Sequence, residues 1–280
     1  MSFKNEKMNI GIIGNGFVGS SVAFGFSEQC GVDFNIRVYD KDKTKSTHEL
    51  KDVLDNSDFI FVSVPTPCLD SGKINLTIVY SIFKEISMLN RRDNIILLRS
   101  TVSPGTTRKL SKIYKNLNIV FNPEFLTERS AKFDFINPSR QIFGFGENML
   151  DEKLKLESLF KFRFGYSIPI INTSYETAEL IKYMNNCFFA TKISFLNEMK
   201  LVCEKLNADW DDAVEGFLRD GRIGHSHYNV PGHDGKKGFG GACFPKDMKA
   251  MSYFCNEIGV NSNVIDGAIK TNNEVRPNVN

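Results

Sequence analysis

The chain has 280 residues, 41% of them hydrophobic, and its 35 basic and 33 acidic side chains leave a formal charge of +2. That is the composition of a folded globular protein with room for one large or two ordinary domains. So balanced a charge, mixed along the sequence, excludes the strongly basic surface expected of a nucleic-acid or anionic-membrane binder, while a small anionic ligand remains compatible with it.

Met8 to Ile13 is a short apolar strand, and Gly14-Asn15-Gly16-Phe17-Val18-Gly19 follows it before an apolar helical stretch from Ser20 to about Gln29. This is GxGxxG between a strand and a helix, where glycines permit a tight turn and close approach of a pyrophosphate to the helix N-terminus. The run from Ile10 to Phe26 is interrupted by five glycines and the pair Ser20-Ser21, so it does not read as a bilayer span. A second strand, Ile36 to Tyr39, ends at Asp40, about twenty residues beyond the last glycine, where an acid hydrogen-bonds a ribose 2′-hydroxyl. An aspartate there repels a 2′-phosphate, so the cofactor expected is NAD rather than NADP. The plainer alternative for Asp40 is a turn residue at a strand end.

Three further strands alternate with helices. Phe59 to Val64 ends at Pro65-Thr66-Pro67, Ile95 to Leu98 at Arg99-Ser100-Thr101, and Ile119 to Phe121 at Asn122-Pro123-Glu124. In an open parallel sheet the carboxyl ends of the strands line the ligand crevice, so Val64, Pro65, Thr66, Ser100 and Thr101 are expected near cofactor or substrate.

Thr173-Ser174-Tyr175-Glu176 matches a capping box, and the segment from Ser174 to about Leu206 holds neither Pro nor Gly, which predicts one long helix. Ile181, Met184, Phe188, Phe195, Met199 and Val202 recur at helical spacing on it, and part of that surface is expected to pack a second copy in a homodimer. Lys182 and Asn186, four apart, share a face and suit an oxygen that develops negative charge; a solvated lysine beside a surface asparagine is the commoner fate of such a pair.

Gly238-Phe239-Gly240-Gly241-Ala242-Cys243-Phe244-Pro245-Lys246-Asp247 sets one thiol between a glycine loop and a helix start. Pro245 suits the first helical position, and the N–H groups of the first turn together with Lys246 favour a thiolate. The alternative is a small buried cysteine in a Gly-rich turn. Glu124 and Glu128, like Cys243 and Asp247, are also four apart. The six cysteines, Cys30, Cys68, Cys187, Cys203, Cys243 and Cys255, show no CxxC spacing, and nothing at the N-terminus resembles a signal peptide, so cytoplasmic thiols are expected. His225, His227 and His233 lack metal-ligand spacing, so no metal is expected and a solvated loop is the reading.

Together these segments resemble the UDP-glucose/GDP-mannose dehydrogenase family, most closely its UDP-glucose 6-dehydrogenase branch. The matching stretches are Gly14 to Gly19, Val64-Pro65-Thr66-Pro67, Ser100-Thr101-Val102, Pro123-Glu124-Phe125-Leu126, Glu176 through Lys182 and Asn186, Lys192-Ile193-Ser194-Phe195 with Asn197-Glu198, and Gly238 to Asp247. The resemblance implies a four-electron oxidation of a nucleotide sugar with two NAD in succession, most closely UDP-glucose to UDP-glucuronate, through a thiohemiacetal and a thioester on Cys243. It implies that Lys182 and Asn186 stabilise an alkoxide-like oxygen, that Asp247 and Thr101 handle protons through water, and that Glu128 and Glu124 assist hydrolysis and placement. It also places Gly14, Gly16, Phe17, Val18, Gly19, Asp40, Val64, Pro65, Thr66, Ser100, Thr101, Glu128 and Lys246 at the cofactor.

Two departures stand out. Thr127-Glu128-Arg129-Ser130 keeps the glutamate of the family's Arg-Glu-Gly but moves the arginine, and the sequence ends where family members continue into a second nucleotide-binding domain. The expected architecture is α/β: a Rossmann-type doubly wound sheet over 1–172, then a long helix and a small helical dimerisation domain over 173–280 carrying the Cys243 loop. A different sugar nucleotide, a smaller sugar, or a non-catalytic NAD-binding accessory role are the alternative functions.

Overall fold

The computed structural model describes residues 8–90 and 92–277. In chain order the elements are β1 (Asn9–Ile13), α1 (Phe17–Gly25), β2 (Asn35–Tyr39), α2 (Leu50–Asp55), β3 (Phe59–Val62), α3 (Thr77–Leu89), β4 (Ile95–Leu98), α4 (Thr106–Ile113), β5 (Asn118–Phe121), α5 (Ala131–Ile136), β6 (Gln141–Phe145), α6 (Leu150–Phe164), β7 (Ile170–Ser174), α7 (Tyr175–Leu206), α8 (Trp210–Leu218), α9 (Phe244–Glu257) and α10 (Asn263–Val275). The chain divides into two compact units: residues up to Thr66 with Asn75–Lys182, and Pro67–Ile74 with Tyr183 onward. The division falls inside α7, between Lys182 and Tyr183.

The first unit is a seven-stranded sheet in the order β2-β1-β3-β4-β5-β6-β7. Strands β1 to β5 pair in parallel, β6 meets β5 antiparallel, and β7 pairs with β6 in parallel. Side chains alternate across each strand, so neighbouring residues feed opposite cores. Ile60, Val62, Ile96, Leu98, Ile119 and Phe121 pack with α2, α3, α4 and the start of α7, while Phe59, Phe61, Ile95, Leu97 and Val120 pack with α1, α5 and α6. Helices thus cover both faces, the doubly wound arrangement expected from alternating strands and helices. The chain leaves β1 for β2 on one side and returns to β3 on the other, and this reversal places the end of β1 beside the end of β3.

Several boundaries differ from the sequence reading. Helix α1 stops at Gly25 rather than near Gln29, with a 3-10 turn over Glu28–Cys30, and β3 ends at Val62 instead of Val64. Strands β6 and β7 have no counterpart in the sequence reading. The capping box is displaced by one residue: Ser174 Oγ, not Thr173, accepts from the Thr177 N–H at 3.2 Å, and Glu176 pairs with Arg108. A hydroxyl one residue nearer the helix caps it, and the Glu176 carboxylate pairs with the Arg108 guanidinium.

The second unit consists of a hairpin-like segment bridged at Cys68 and Ile74, the remainder of α7, and α8 to α10. Its core gathers Cys187, Ala190, Phe239, Met248 and Ala268, flanked by Ile193, Phe244, Met251, Ile265 and Ile269. Ser194 Oγ donates to the Ala268 carbonyl at 2.8 Å, tying α7 to α10. Met184 is 61% exposed, Phe188 62%, Phe195 46% and Val202 46%, so α7 carries an uncovered apolar stripe. Among the described residues no helix is long and apolar enough to cross a membrane.

Candidate functional site

In the first unit the glycine loop closes over the strand reversal. Gly14 has φ +90°, and a Cβ there would lie 2.4 Å from the Ser63 carbonyl oxygen at the end of β3. A Cβ on Gly19 would lie 1.9 Å from the Gly14 carbonyl oxygen, so only glycine lets α1 start this close to the turn. At Gly16 a Cβ would meet nothing within 4 Å, which leaves space above the loop. No side chain caps α1, whose first residues are Phe17, Val18 and Gly19, so the N–H groups of that turn are left for a ligand carrying negative charge.

Asp40 stands where β2 ends, and its carboxylate reaches the loop: the Asn15 N–H donates to it at 2.6 Å, and the Asp42 N–H donates to its other oxygen at 2.8 Å. Asp40 therefore orders the glycine loop. At the neighbouring strand ends Ser100 Oγ donates to the Val64 carbonyl at 2.7 Å, and Thr66 and Ser100 are both buried. Pro65 and Thr101 lie beside them in the chain, in the loops that follow β3 and β4. The loop, the bare helix end and the acid fit a dinucleotide without a 2′-phosphate.

Further along the same unit, Lys182 Nζ donates to Glu124 Oε1 at 2.9 Å with both side chains buried. The Leu126 N–H holds the other oxygen at 2.6 Å. Burial alone would push the Glu124 carboxyl up, but Lys182, the Leu126 N–H and Arg99 together hold it below the usual carboxylate range. Glu128 sits in a 3-10 turn with an exposed side chain.

In the second unit Cys243 is the residue before α9, which begins at Phe244, so Pro245 occupies the second helical position rather than the first. The loop leading to it is pinned from two helices: the Gly238 N–H donates to Asn197 Oδ1 at 3.0 Å, and the Phe239 N–H to Asn272 Oδ1 at 2.6 Å. One turn into α9, Asp247 is buried, and its N–H donates to the Cys243 carbonyl at 2.8 Å. Its carboxylate accepts from Asn186 Nδ2 at 2.6 Å and from Lys246 Nζ. Lys246 therefore ends on a carboxylate. Lys182 and Asn186, read as a pair for one oxygen, each hold a different acid, because a buried polar group needs a partner of its own.

All six cysteines are thiols, and burial pushes Cys68 and Cys255 up and Cys187 up to about 12, which keeps those three protonated and inert. Of the three histidines in the loop before α9, His227 stacks on Phe189 at 4.1 Å. Among the described residues no cluster of three or more His, Cys, Asp or Glu could hold a metal ion.

Sequence reasoning left out Asn197 and Asn272 as loop anchors, Arg99, and Glu179. Asn197 lay within a stretch already singled out. Asn272 and Arg99 carried no motif, since their partners are distant in sequence.

The fold and the loop at Gly14–Gly19 define a Rossmann-type dinucleotide-binding protein. Residues 38–162 match the NAD binding domain, and 176–274 the central domain, of the UDP-glucose/GDP-mannose dehydrogenase family. The UDP-glucose 6-dehydrogenase of Rickettsia typhi is 31% identical over 96% of this chain and 68% of its own length. That of Rickettsia bellii is 34% identical over 85% of this chain and 54% of its own. The chain belongs to this family of NAD-dependent oxidoreductases, and it spans little more than half the length of several relatives it matches. Among solved structures, a UDP-glucose dehydrogenase from Pyrobaculum islandicum has a TM-score of 0.84 at 24% identity, covering 98% of this chain and 70% of that one. A 3-hydroxyisobutyrate dehydrogenase from Mycobacterium tuberculosis scores 0.75 at 16% identity, covering 98% and 95%. Both share the fold.

Proposed function

We propose that this protein oxidises the primary alcohol of a nucleotide sugar to a carboxylate, with UDP-glucose as substrate and UDP-glucuronate as product. The observation that carries the reading is the seat of Cys243: a thiol at the head of α9, at the end of a loop anchored by Asn197 and Asn272, one turn before the buried Asp247. An alcohol dehydrogenase that stops at the aldehyde has no use for such a nucleophile. The names of the relatives more than 30% identical support UDP-glucose as the sugar nucleotide.

Gly14, Gly16, Phe17, Val18 and Gly19 would hold NAD, with Asp40 as the acceptor for its ribose hydroxyl, and NAD would supply the hydride acceptor for each of the two oxidations. Val64, Pro65, Thr66, Ser100, Thr101, Glu128 and Lys246 complete its surroundings in this proposal. Cys243, as a thiolate favoured by the N-terminus of α9, attacks the aldehyde carbon left by the first oxidation and forms a C–S bond; the resulting thiohemiacetal is oxidised to a thioester. Water then breaks the C–S bond, the thiolate leaves, and the acid is released. In balance, one alcohol, two NAD and one water give one carboxylate, two NADH and three protons. Lys182 and Asn186 donate to the oxygen that becomes negative in these steps, and fixed donors in a dry site suit that task. Asp247 and Thr101 relay protons through water, Glu128 assists hydrolysis, and Glu124 places Lys182. The uncovered stripe on α7 supports a homodimer, and six cysteines that are all thiols support a cytoplasmic setting.

The experiment is NADH formation by the purified chain against a panel of UDP- and GDP-sugars and small sugar alcohols. Oxidation of UDP-glucose ahead of the others is expected. Preference for another member replaces the substrate, and NAD binding with no sugar oxidised leaves a non-catalytic NAD-binding subunit.

A further inference from the structure

Arg276 follows α10, and its N–H donates to the Asn272 carbonyl at 2.8 Å, so its side chain leaves the helix one turn beyond the amide that holds the Phe239 N–H. That side chain is only 14% exposed. Nη2 donates to Asp234 Oδ2 at 2.6 Å, and the Lys236 N–H donates to the other oxygen of the carboxylate at 3.1 Å. Asp234 lies in a tight turn, in which the Gly232 N–H donates to the Lys236 carbonyl at 2.8 Å and the Gly235 N–H to the Gly232 carbonyl at 2.9 Å. The same guanidinium rests against Gly240: a Cβ there would fall 2.5 Å from Cζ and 3.0 Å from Nε. Gly238 and Gly241 have φ of +72° and +77°, whereas Gly240 is outside that left-handed region, so its backbone angles do not call for glycine. The guanidinium does. An arginine whose task was to complement the dipole at the end of α10 could do so from solvent, without laying its plane on a loop.

We propose that Arg276 is a positioning residue for Cys243: clamped by Asp234 and laid on the Cα of Gly240, its guanidinium holds the glycine loop that sets the thiol at the head of α9. The loop is fastened by Asn197 at Gly238, by Asn272 at Phe239 and by Arg276 at Gly240, and Cys243 follows three residues later. Two of these holds come from one face at the end of α10, since Asn272 and Arg276 are four apart. Arginine suits the place because a flat, permanent cation can press one face on a peptide while its edge donates to a carboxylate. Each hold lowers the population of open loop conformations, and a thiol carried away from the first turn of α9 loses both its aim and the N–H groups that favour its thiolate. The inference rests on the reading of Cys243 as the nucleophile.

The test is amide hydrogen exchange of the purified chain, read by mass spectrometry, beside steady-state NADH formation with UDP-glucose. In Arg276→Met the amides of Gly238 to Cys243 exchange about tenfold faster, the sign of local opening. In the same variant kcat falls about tenfold with KM little changed. NAD affinity is kept, because the loop at Gly14–Gly19 lies in the other unit. Gly240→Ala pushes the guanidinium aside and has the same effects, and the combined Gly240→Ala and Arg276→Met variant is no worse than Arg276→Met alone. If Arg276→Met does not fold, Asp234→Asn, which weakens the clamp and keeps its shape, gives the same reading. Unchanged exchange in a folded variant overturns the proposal, as do additive losses from Gly240→Ala and Arg276→Met, or a lower thermal midpoint with kcat untouched, the mark of a purely structural residue. Failure of the Cys243 reading looks different: exchange still rises in Arg276→Met, while Cys243→Ala releases two NADH per sugar.

Discussion

The side-chain amide of Asn186 donates to the Asp247 carboxylate at 2.6 Å, and both groups are buried. The part of α7 that lies in the second unit is thereby fastened to the first turn of α9, after Cys243. Lys246 holds the other oxygen of Asp247, so the carboxylate satisfies two donors at once. Asp247→Ala leaves an amide and an ammonium without their acceptor, which costs about 1–3 kcal/mol in denaturant unfolding, whereas Asp247→Asn keeps an oxygen for Asn186 and costs less. Both variants lower the rate of NADH formation by about a hundredfold, the scale of a lost proton-transfer group. Equal rate losses with unequal stability losses are the expected pattern; an Asp247→Asn variant as active as the wild type contradicts the role.

Two glycines of the same loop respond oppositely to one added methyl. Gly16→Ala meets nothing within 4 Å, so the fold and thermal midpoint are kept while the approach of a pyrophosphate is obstructed. NAD affinity falls about tenfold or more, read by calorimetry. Gly19→Ala drives its methyl into the Gly14 carbonyl at 1.9 Å, so the protein itself is destabilised. Unchanged NAD affinity in Gly16→Ala contradicts the assignment of the loop.

Glu179 accepts from the Gly105 and Thr107 N–H groups at 2.6 and 2.8 Å and from the Thr107 hydroxyl at 2.6 Å, at the start of α4. Burial nonetheless pushes its carboxyl from 4.5 up to about 7. The folded protein then binds a proton that the unfolded chain has released, so this contribution is full below about pH 4.5 and is lost as pH rises through 7. It amounts to a few kcal/mol as an order of magnitude. Urea unfolding of the wild type weakens across that window relative to Glu179→Gln, whose profile is flatter; parallel profiles contradict the account.

The stripe of Met184, Phe188, Phe195 and Val202 on α7 presents apolar surface exposed to water. In the proposed homodimer a second copy packs there, and Phe188→Glu with Phe195→Glu is expected to give a monomer. Light scattering after size exclusion reads the mass directly, and a wild type of monomer mass contradicts the proposal.

The local part of this architecture was legible in the sequence. The strand, glycine loop and helix at Met8–Gly25, the acid after β2 and the ends of β4 and β5 all follow from periodicity and turn chemistry over a few residues. The ends of α1 and β3 slipped by a few residues because their last turns are decided by tertiary packing, and Ser174 displaced Thr173 as the cap for a reason that only the entry of β7 into α7 reveals. The polar partners were harder to read. Lys182 and Asn186 share a helical face by spacing alone, yet spacing says nothing of the two acids that divide them, Glu124 and Asp247, which lie some sixty residues away on either side. Arg99 and Asn272 carry no motif at all, because a buried guanidinium and a loop-anchoring amide are defined only by what surrounds them.

The central claim is a covalent four-electron oxidation on Cys243. It is tested most directly by counting NADH released per UDP-glucose consumed, in the wild type and in Cys243→Ala and Cys243→Ser. The account predicts two NADH per sugar in the wild type and no such turnover in either variant. Two NADH per sugar from Cys243→Ala would contradict it.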